Sequence, residues 1–227
     1  TGWGAAARLR GRRSVSTREV RVVPVGDDAL LIEAEESAAI APWAAHARAL
    51  HYDGALHVTD VVPGARTVLL DGVGGPQARD DLAAEVAAWV PRAEEATGGP
   101  LVEIGVMFDG PDLRSVAEFW RVPVDAVPGL VCGAELTVAF CGFAPGFAYL
   151  TGLGRTVPRL ETPRTRVPAG AVGLAGEFAG VYPRESPGGW RIIGTAVDAV
   201  LWDATRAEPA LLAPGTRVRF VEAGRRT

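Results

Sequence analysis

The sequence predicts an α+β N-terminal domain, a ββαββα sandwich, followed by an all-β closed barrel. Three observations predict it. The first half alternates β-rich runs with two amphipathic helical stretches. The stretch EEATGGP at 94–100 is the best linker in the chain. From Glu135 onward, short β-rich runs are separated by Gly- and Pro-rich turns, the pattern of an antiparallel barrel. The expected boundaries are 1–17 for a flexible basic extension, 18–96 for the α+β domain and 100–223 for the barrel.

The elements follow in order. EVRVVPVG and ALLIEAE are strand runs joined at Gly26-Asp27-Asp28, a hairpin signal. ESAAIAPWAAHARAL places apolar residues at helical spacing, with Ser37 as the expected N-cap. ALHVTDVV and ARTVLLDG read as strands around a Pro63-Gly64 turn. GPQARDDLAAEVAAWVPRAEEA is a second helix with Leu82, Val86, Trp89 and Val90 on one stripe, and Asp80 and Asp81 favour its first turn. In the second half, LVEIGVMF is a strand, DGPDLRSVAEFW a helix with Asp112 near its N-cap, and VDAVPGLV a short helix. ELTVAF, GAVGLAG, AGVYP, GWRIIG, DAVLWDA and TRVRFVEA are the expected barrel strands.

Composition excludes several classes. The 227 residues are 48% hydrophobic and 22% charged, with a net charge of −4, which argues against a nucleic-acid binder. No apolar run reaches the ~18 residues of a membrane span. Arg8, Arg10, Arg12, Arg13 and Arg18 crowd the start, but no apolar stretch follows GRRSVSTREV, so a cytoplasmic location is expected. Cys132 and Cys141 alone give no disulfide framework and no four-ligand zinc motif. All 23 basic residues are Arg, which removes a P-loop lysine, a Schiff base and a biotin attachment site.

The histidines are His46, His51 and His57, all in the first half. Ser186 therefore has no histidine in its own half, no catalytic triad emerges, and the catalytic residue stays unassigned. Cys141, between Phe140 and Gly142, reads as a small buried hydrophobe. His46 and His51 are five apart, which is not a zinc pair, and no metal site is expected. Asp109 and Asp112 could hold a cation, but Asp112 is explained as a cap.

Binding chemistry concentrates in three loops. In FCGFAPGFAYLTGL, Gly142, Pro145 and Gly146 force turns, and Phe143, Phe147 and Tyr149 either line a groove or plug the barrel mouth. In ETPRTRVPAGAVGLAG, Arg164 and Arg166 sit in rigid loop chemistry with Pro163, Pro168 and Gly170. They either offer a planar fork to a carboxylate or phosphate or pair with nearby acids. In GVYPRESPGGWRIIG, Pro187, Gly188 and Gly189 let the backbone pass close to a ligand or a neighbouring strand, beside Tyr182 and Trp190.

The ordered strings GFAPGFAYL, TPR, VPAG, VGLAG, GVYP, PGGW and IIG closely resemble the family of 5-oxoprolinase B subunits, also called the KipI or allophanate hydrolase subunit 1 family. The similarity covers roughly residues 17–222. The resemblance implies a small α+β domain, a cyclophilin-like barrel, and a partner, the 5-oxoprolinase C subunit (allophanate hydrolase subunit 2), with the 5-oxoprolinase A subunit held more loosely. It implies opening of 5-oxo-L-proline to L-glutamate with ATP and Mg, shared with partner subunits. The same modules form the carboxyltransferase region of urea carboxylase, and a KipI-type member instead inhibits a sensor histidine kinase. On this resemblance Arg164 would hold an anionic group, and the rings would wall a pocket or pack on the C subunit. The chain departs from the family pattern at Val131, Ala171, Phe178, Ala179 and Thr195-Ala196, where polar or basic residues are common.

Overall fold

The computed structural model describes residues 20–91 and 99–224. The basic extension expected over 1–17 lies outside them, as does the linker expected over 94–100 apart from Gly99 and Pro100. The chain divides into two compact units between Glu95 and Ala96. No helix among the described residues is long and apolar enough to cross a membrane.

The first unit is a ββαββα sandwich. β1 (Val20–Val25) and β2 (Ala29–Ala34) form the hairpin expected at Gly26-Asp27-Asp28. α1 (Ser37–Tyr52), β3 (Asp60–Pro63), β4 (Thr67–Asp71) and α2 (Pro76–Ala88) follow, and the sheet order is β1-β2-β4-β3. Alternate residues of the central strands, Leu30, Ile32, Val68 and Leu70, point to one core with Trp43, Ile40, Leu82 and Val86 from the helices. Two details differ from expectation. The N-cap position of α1 is Glu36, with no side-chain cap bond, and Ser37 is already helical. α2 stops at Ala88, Trp89 turns extended, and Val90 is exposed instead of joining the apolar stripe. Pro91 keeps Val90 out of the α region, and the helix ends one residue earlier still, at the extended Trp89.

The second unit starts with β5 (Leu101–Met107), α3 (Leu113–Trp120) and α4 (Ala126–Cys132). β6 (Leu136–Cys141) and β7 (Ala148–Thr151) form a hairpin around the 142–147 loop. β8 (Arg164–Val167), β9 (Ala171–Ala175), β10 (Phe178–Val181), β11 (Ser186–Gly188), β12 (Arg191–Val197) and β13 (Arg217–Glu222) complete it. Seven strands close a barrel in the order β10-β7-β6-β13-β5-β12-β9, while β8 and β11 pair as a separate two-stranded sheet. The barrel is not wholly antiparallel, because β13 runs parallel to β5 from Arg217↔Leu101 to Glu222↔Val106. The strand expected at DAVLWDA does not form. Asp198 takes a left-handed φ of 58° and the Asp203 carboxylate closes a turn onto Thr205, leaving one bridge between Trp202 and Ala210.

The barrel wall separates two cores. Ala148, Leu150, Val172, Leu174, Ala179, Val181 and Ile193 belong to the interior cluster with Val106, Val218 and Phe220. Their sequence neighbours Phe147, Ala171, Ala175, Tyr182 and Ile192 belong to a second cluster with Trp190. Period-two alternation therefore places the second cluster on the outer face of β7, β9, β10 and β12. All of β9 is buried, since each of its faces meets a core. The rings rest on a glycine floor. Gly173 and Gly180 pair across β9 and β10. A Cβ on Gly180 would lie 3.1 Å from Trp190 and 3.2 Å from Phe147, and one on Gly173 3.1 Å from Trp190.

Gly180→Val should force both rings off this floor and lower stability by about 1–3 kcal/mol, as overpacking does. Urea denaturation measures the loss, and a weakened near-ultraviolet circular dichroism signal checks that ring packing is its cause.

Candidate functional site

Seven rings form one assembly on the outer barrel wall. Phe147 sits at its centre, edge-on to Tyr149 at 5.0 Å, to Tyr182 at 5.3 Å and to Trp190 at 5.3 Å between centroids. Phe140 stacks on Tyr149 at 4.3 Å, and Phe178 meets both edge-on at 5.7 Å. Phe143 closes the rim against Phe147 at 5.4 Å and Tyr182 at 6.3 Å. Edge-to-face contacts of this kind are worth about 0.5–1.5 kcal/mol each beyond burial. Phe140 reaches the outer face because a register shift between Val138 and Phe140 reverses the alternation of β6. The rings were expected either to line a groove or to plug the barrel mouth, and only the second placement conflicts with the structure. Alternation puts them on the outer wall, and the barrel interior is filled by aliphatic residues and Phe220.

Phe143 stands apart. It is 58% exposed, and its φ of 69° is left-handed, which is uncommon for a bulky residue. The turn that holds it is built by Gly142, Pro145 and Gly146. The Gly142 N–H donates to Phe147 O at 3.2 Å, and a Cβ on Gly146 would lie 2.9 Å from Trp202 Cβ. On the opposite side, Gly170 follows Pro168 and donates to Tyr182 O at 2.7 Å. Gly188, after Pro187, leaves room for the Tyr182 hydroxyl, which a Cβ there would approach to 2.3 Å. The Gly189 carbonyl accepts from Leu160 N–H at 2.8 Å. Burial pushes the Tyr149 and Tyr182 phenols above their ordinary pKa, and the nearby Arg159 guanidinium partly offsets this in both.

The two arginines expected to hold an anion are engaged with carboxylates. Arg164 donates from Nη2 to Asp112 Oδ1 at 2.9 Å and from Nη1 to Trp190 O at 3.4 Å. The other oxygen of Asp112 accepts the Ile192 N–H at 2.6 Å. Asp112 is thus not a side-chain cap. It occupies the N-cap position of α3, but its carboxylate is a buried staple joining the β5–α3 turn to β12 and β8. Arg166 Nε pairs with Glu185 at 2.5 Å in an exposed salt bridge. The second carboxylate considered for a cation, Asp109, accepts from the Thr195 hydroxyl at 3.0 Å.

Sequence reasoning missed Phe140, Phe178, Arg159 and the staple role of Asp112. The departures from the family pattern at Val131, Ala171 and Ala179 are all buried apolar positions, so a polar group at any of them would need an internal partner. Cys141 donates its thiol to Leu212 O at 3.2 Å. His46 packs edge-on to Trp89 at 5.0 Å in the first unit. Among the described residues no group of three His, Cys, Asp or Glu is placed to hold a metal ion.

A family description, carboxyltransferase domain, subdomain C and D, matches residues 20–212. The chain belongs to this family. It is 41% identical over 131 residues to the 5-oxoprolinase B subunit of Haemophilus influenzae, covering 56% of this chain and 61% of that protein. It is 45% identical over 125 residues to the 5-oxoprolinase B subunit of Escherichia coli O157:H7, covering 53% and 57%. The chain thus spans less than two thirds of these relatives. Among solved structures, TTHA0988 superposes with a TM-score of 0.71 at 32% identity, over 88% of this chain and 40% of that one. Kluyveromyces lactis urea carboxylase superposes with a TM-score of 0.76 over 96% of this chain and 23% of that one. At 18% identity it shows the shared fold alone.

Two outcomes follow from this geometry. Asp112→Ala and Arg164→Ala should each lower stability by about 1–3 kcal/mol, because each strands a partly buried partner, and the double variant should lose less than their sum. Urea denaturation of the four proteins in the cycle checks the coupling. The raised phenols give a second outcome. Above about pH 10, where tyrosine in the unfolded chain ionises, the folded barrel retains more protons, so stability is intact below that pH and falls as pH rises past it. Tyr149→Phe and Tyr182→Phe should flatten that decline in chemical denaturation run across the alkaline range.

Proposed function

We propose that this chain acts as the B subunit of a 5-oxoprolinase-type amide hydrolase that opens 5-oxo-L-proline to L-glutamate with ATP. It is non-autonomous, working with a C subunit of the allophanate hydrolase subunit 2 type and, more loosely, with an A subunit. The observation that carries this is the 40–45% identity to proteins named as the B subunit of 5-oxoprolinase.

The polar inventory supports dependence on a partner. The outer-wall assembly supplies rings, phenols and guanidinium groups, while all three histidines belong to the other half of the chain. Such a surface can bind and orient a small flat ligand and exclude water from it, and on this reading another polypeptide brings the histidine or carboxylate that the ring assembly itself lacks. The residues present do not fit a P-loop site for ATP. The chain has no lysine, and no three acidic or imidazole side chains converge among the described residues. ATP and Mg are therefore shared with partner subunits through a contact other than a P-loop, and no step through them is ascribed to this chain.

Co-expression with the C subunit should give a complex that survives purification. 5-Oxoproline-dependent ATP hydrolysis should appear only when the A subunit is added. Turnover by the chain alone, measured as inorganic phosphate release, would contradict the shared reaction. Failure to co-purify would favour a KipI-type regulatory role on a histidine kinase.

A further inference from the structure

Every arginine expected to hold an anion at the ring assembly has another use, yet an arginine with no such use stands beside the phenols. Arg164 is held by Asp112 and Arg166 by Glu185. Arg191 donates to Pro158 O at 2.8 Å and to the Ser115 hydroxyl at 3.0 Å, and its guanidinium lies over Phe119. Arg155 lies over Trp120. Arg159 is exposed and pairs with no carboxylate among the described residues. It is also the arginine whose charge acts on both Tyr149 and Tyr182.

The backbone fixes where this charge sits. On one side of Arg159, Val157 bridges to Gly176 and the Pro158 carbonyl accepts from Arg191. On the other, the Leu160 N–H donates to Gly189 O at 2.8 Å. The root of Arg159 is therefore tied to the same β11–β12 turn that carries Trp190. Because Arg159 is exposed and has no carboxylate partner among the described residues, an incoming anion meets a guanidinium that no internal acid already neutralises. The backbone on either side of Arg159 is already clamped, so binding has to order its side chain but little of the loop.

We propose that Arg159 is the anion-binding residue at the edge of the outer-wall ring assembly, taking the carboxylate of a small cyclic amide whose flat face rests on the part of Tyr149 that stays exposed. This rests on the 5-oxoprolinase reading for the ligand and deepens it by naming the group that selects for the acid. The role expected of Arg164 passes to Arg159, and Arg164 becomes a positioning residue that holds the Trp190 backbone.

Calorimetric titration in the absence of ATP tests this separately from turnover, using the complex with the C subunit. The proteins are wild type, Arg159→Ala, Arg159→Lys and, as a remote arginine control, Arg21→Ala. The probes are 5-oxo-L-proline and 2-pyrrolidinone, the same ring without its carboxylate. Arg159→Ala should weaken 5-oxo-L-proline by about tenfold or more, the loss expected of a charge-assisted contact. Arg159→Lys should recover part of that loss, and neither variant should alter 2-pyrrolidinone or the near-ultraviolet dichroism. Unchanged 5-oxo-L-proline binding in Arg159→Ala overturns the proposal. If no complex forms, or the wild type does not bind 5-oxo-L-proline, the functional reading falls and acetate and phosphate titrated into the chain alone decide the site. Acetate binding that disappears in Arg159→Ala supports it. No anion binding, or phosphate displacing acetate at equal concentration, overturns the carboxylate assignment.

Discussion

The carboxylate of Asp112 constrains the second unit more than any other polar group described. It is 7% exposed, and each of its oxygens has a partner on a different segment. Its backbone N–H also donates to Ile192 O at 3.0 Å, so the turn and β12 are joined in both directions. The approach is close enough that Gly110 admits no side chain, since a Cβ there would lie 2.3 Å from Ile192 O. Trp190 is two residues from the stapled position and shares Arg164 with it. The orientation of the ring assembly is thereby inherited from a carboxylate at the start of α3.

A wall shared by two cores explains the composition of its strands. Residues facing the barrel axis must be aliphatic and of limited volume, such as Val172, Leu174 and Ile193. Residues facing outward are small or aromatic apart from Ile192, because rings lie directly on the sheet. Close packing on both sides resists rearrangement. The rings of the outer face are therefore held in one arrangement from both sides of the sheet.

The ββαββα order, the GDD hairpin and the β-rich character of the second half were legible because each rests on local periodicity and turn chemistry. What sequence could not show depends on contacts between distant positions. Asp112 looks like a helix cap until Arg164, 52 residues away, is placed beside it. AVGLA reads as a buried strand, but nothing in it says that its two faces meet different cores. Phe140 changes face only through an irregularity in the β6–β7 register. Arg159 is one of 23 chemically identical basic residues, and only the clamped backbone on either side of it marks it out. β8 and β11 are too short, and β11 too proline-rich, to announce themselves.

The pairing of β13 with β5 has a consequence for how this unit can be strung into a larger polypeptide. Because the two run side by side in the same direction, Leu101 and Arg217 share one rim while Val106 and Glu222 share the other. The backbone comes in at one opening of the cylinder and goes out through the far one, about 20 Å along for a six-residue strand. An antiparallel closure would have returned both ends to a single rim, making the cylinder a side branch. Here the two ends of the barrel segment lie at opposite rims, so whatever is joined to β5 and whatever is joined to β13 attach at opposite openings.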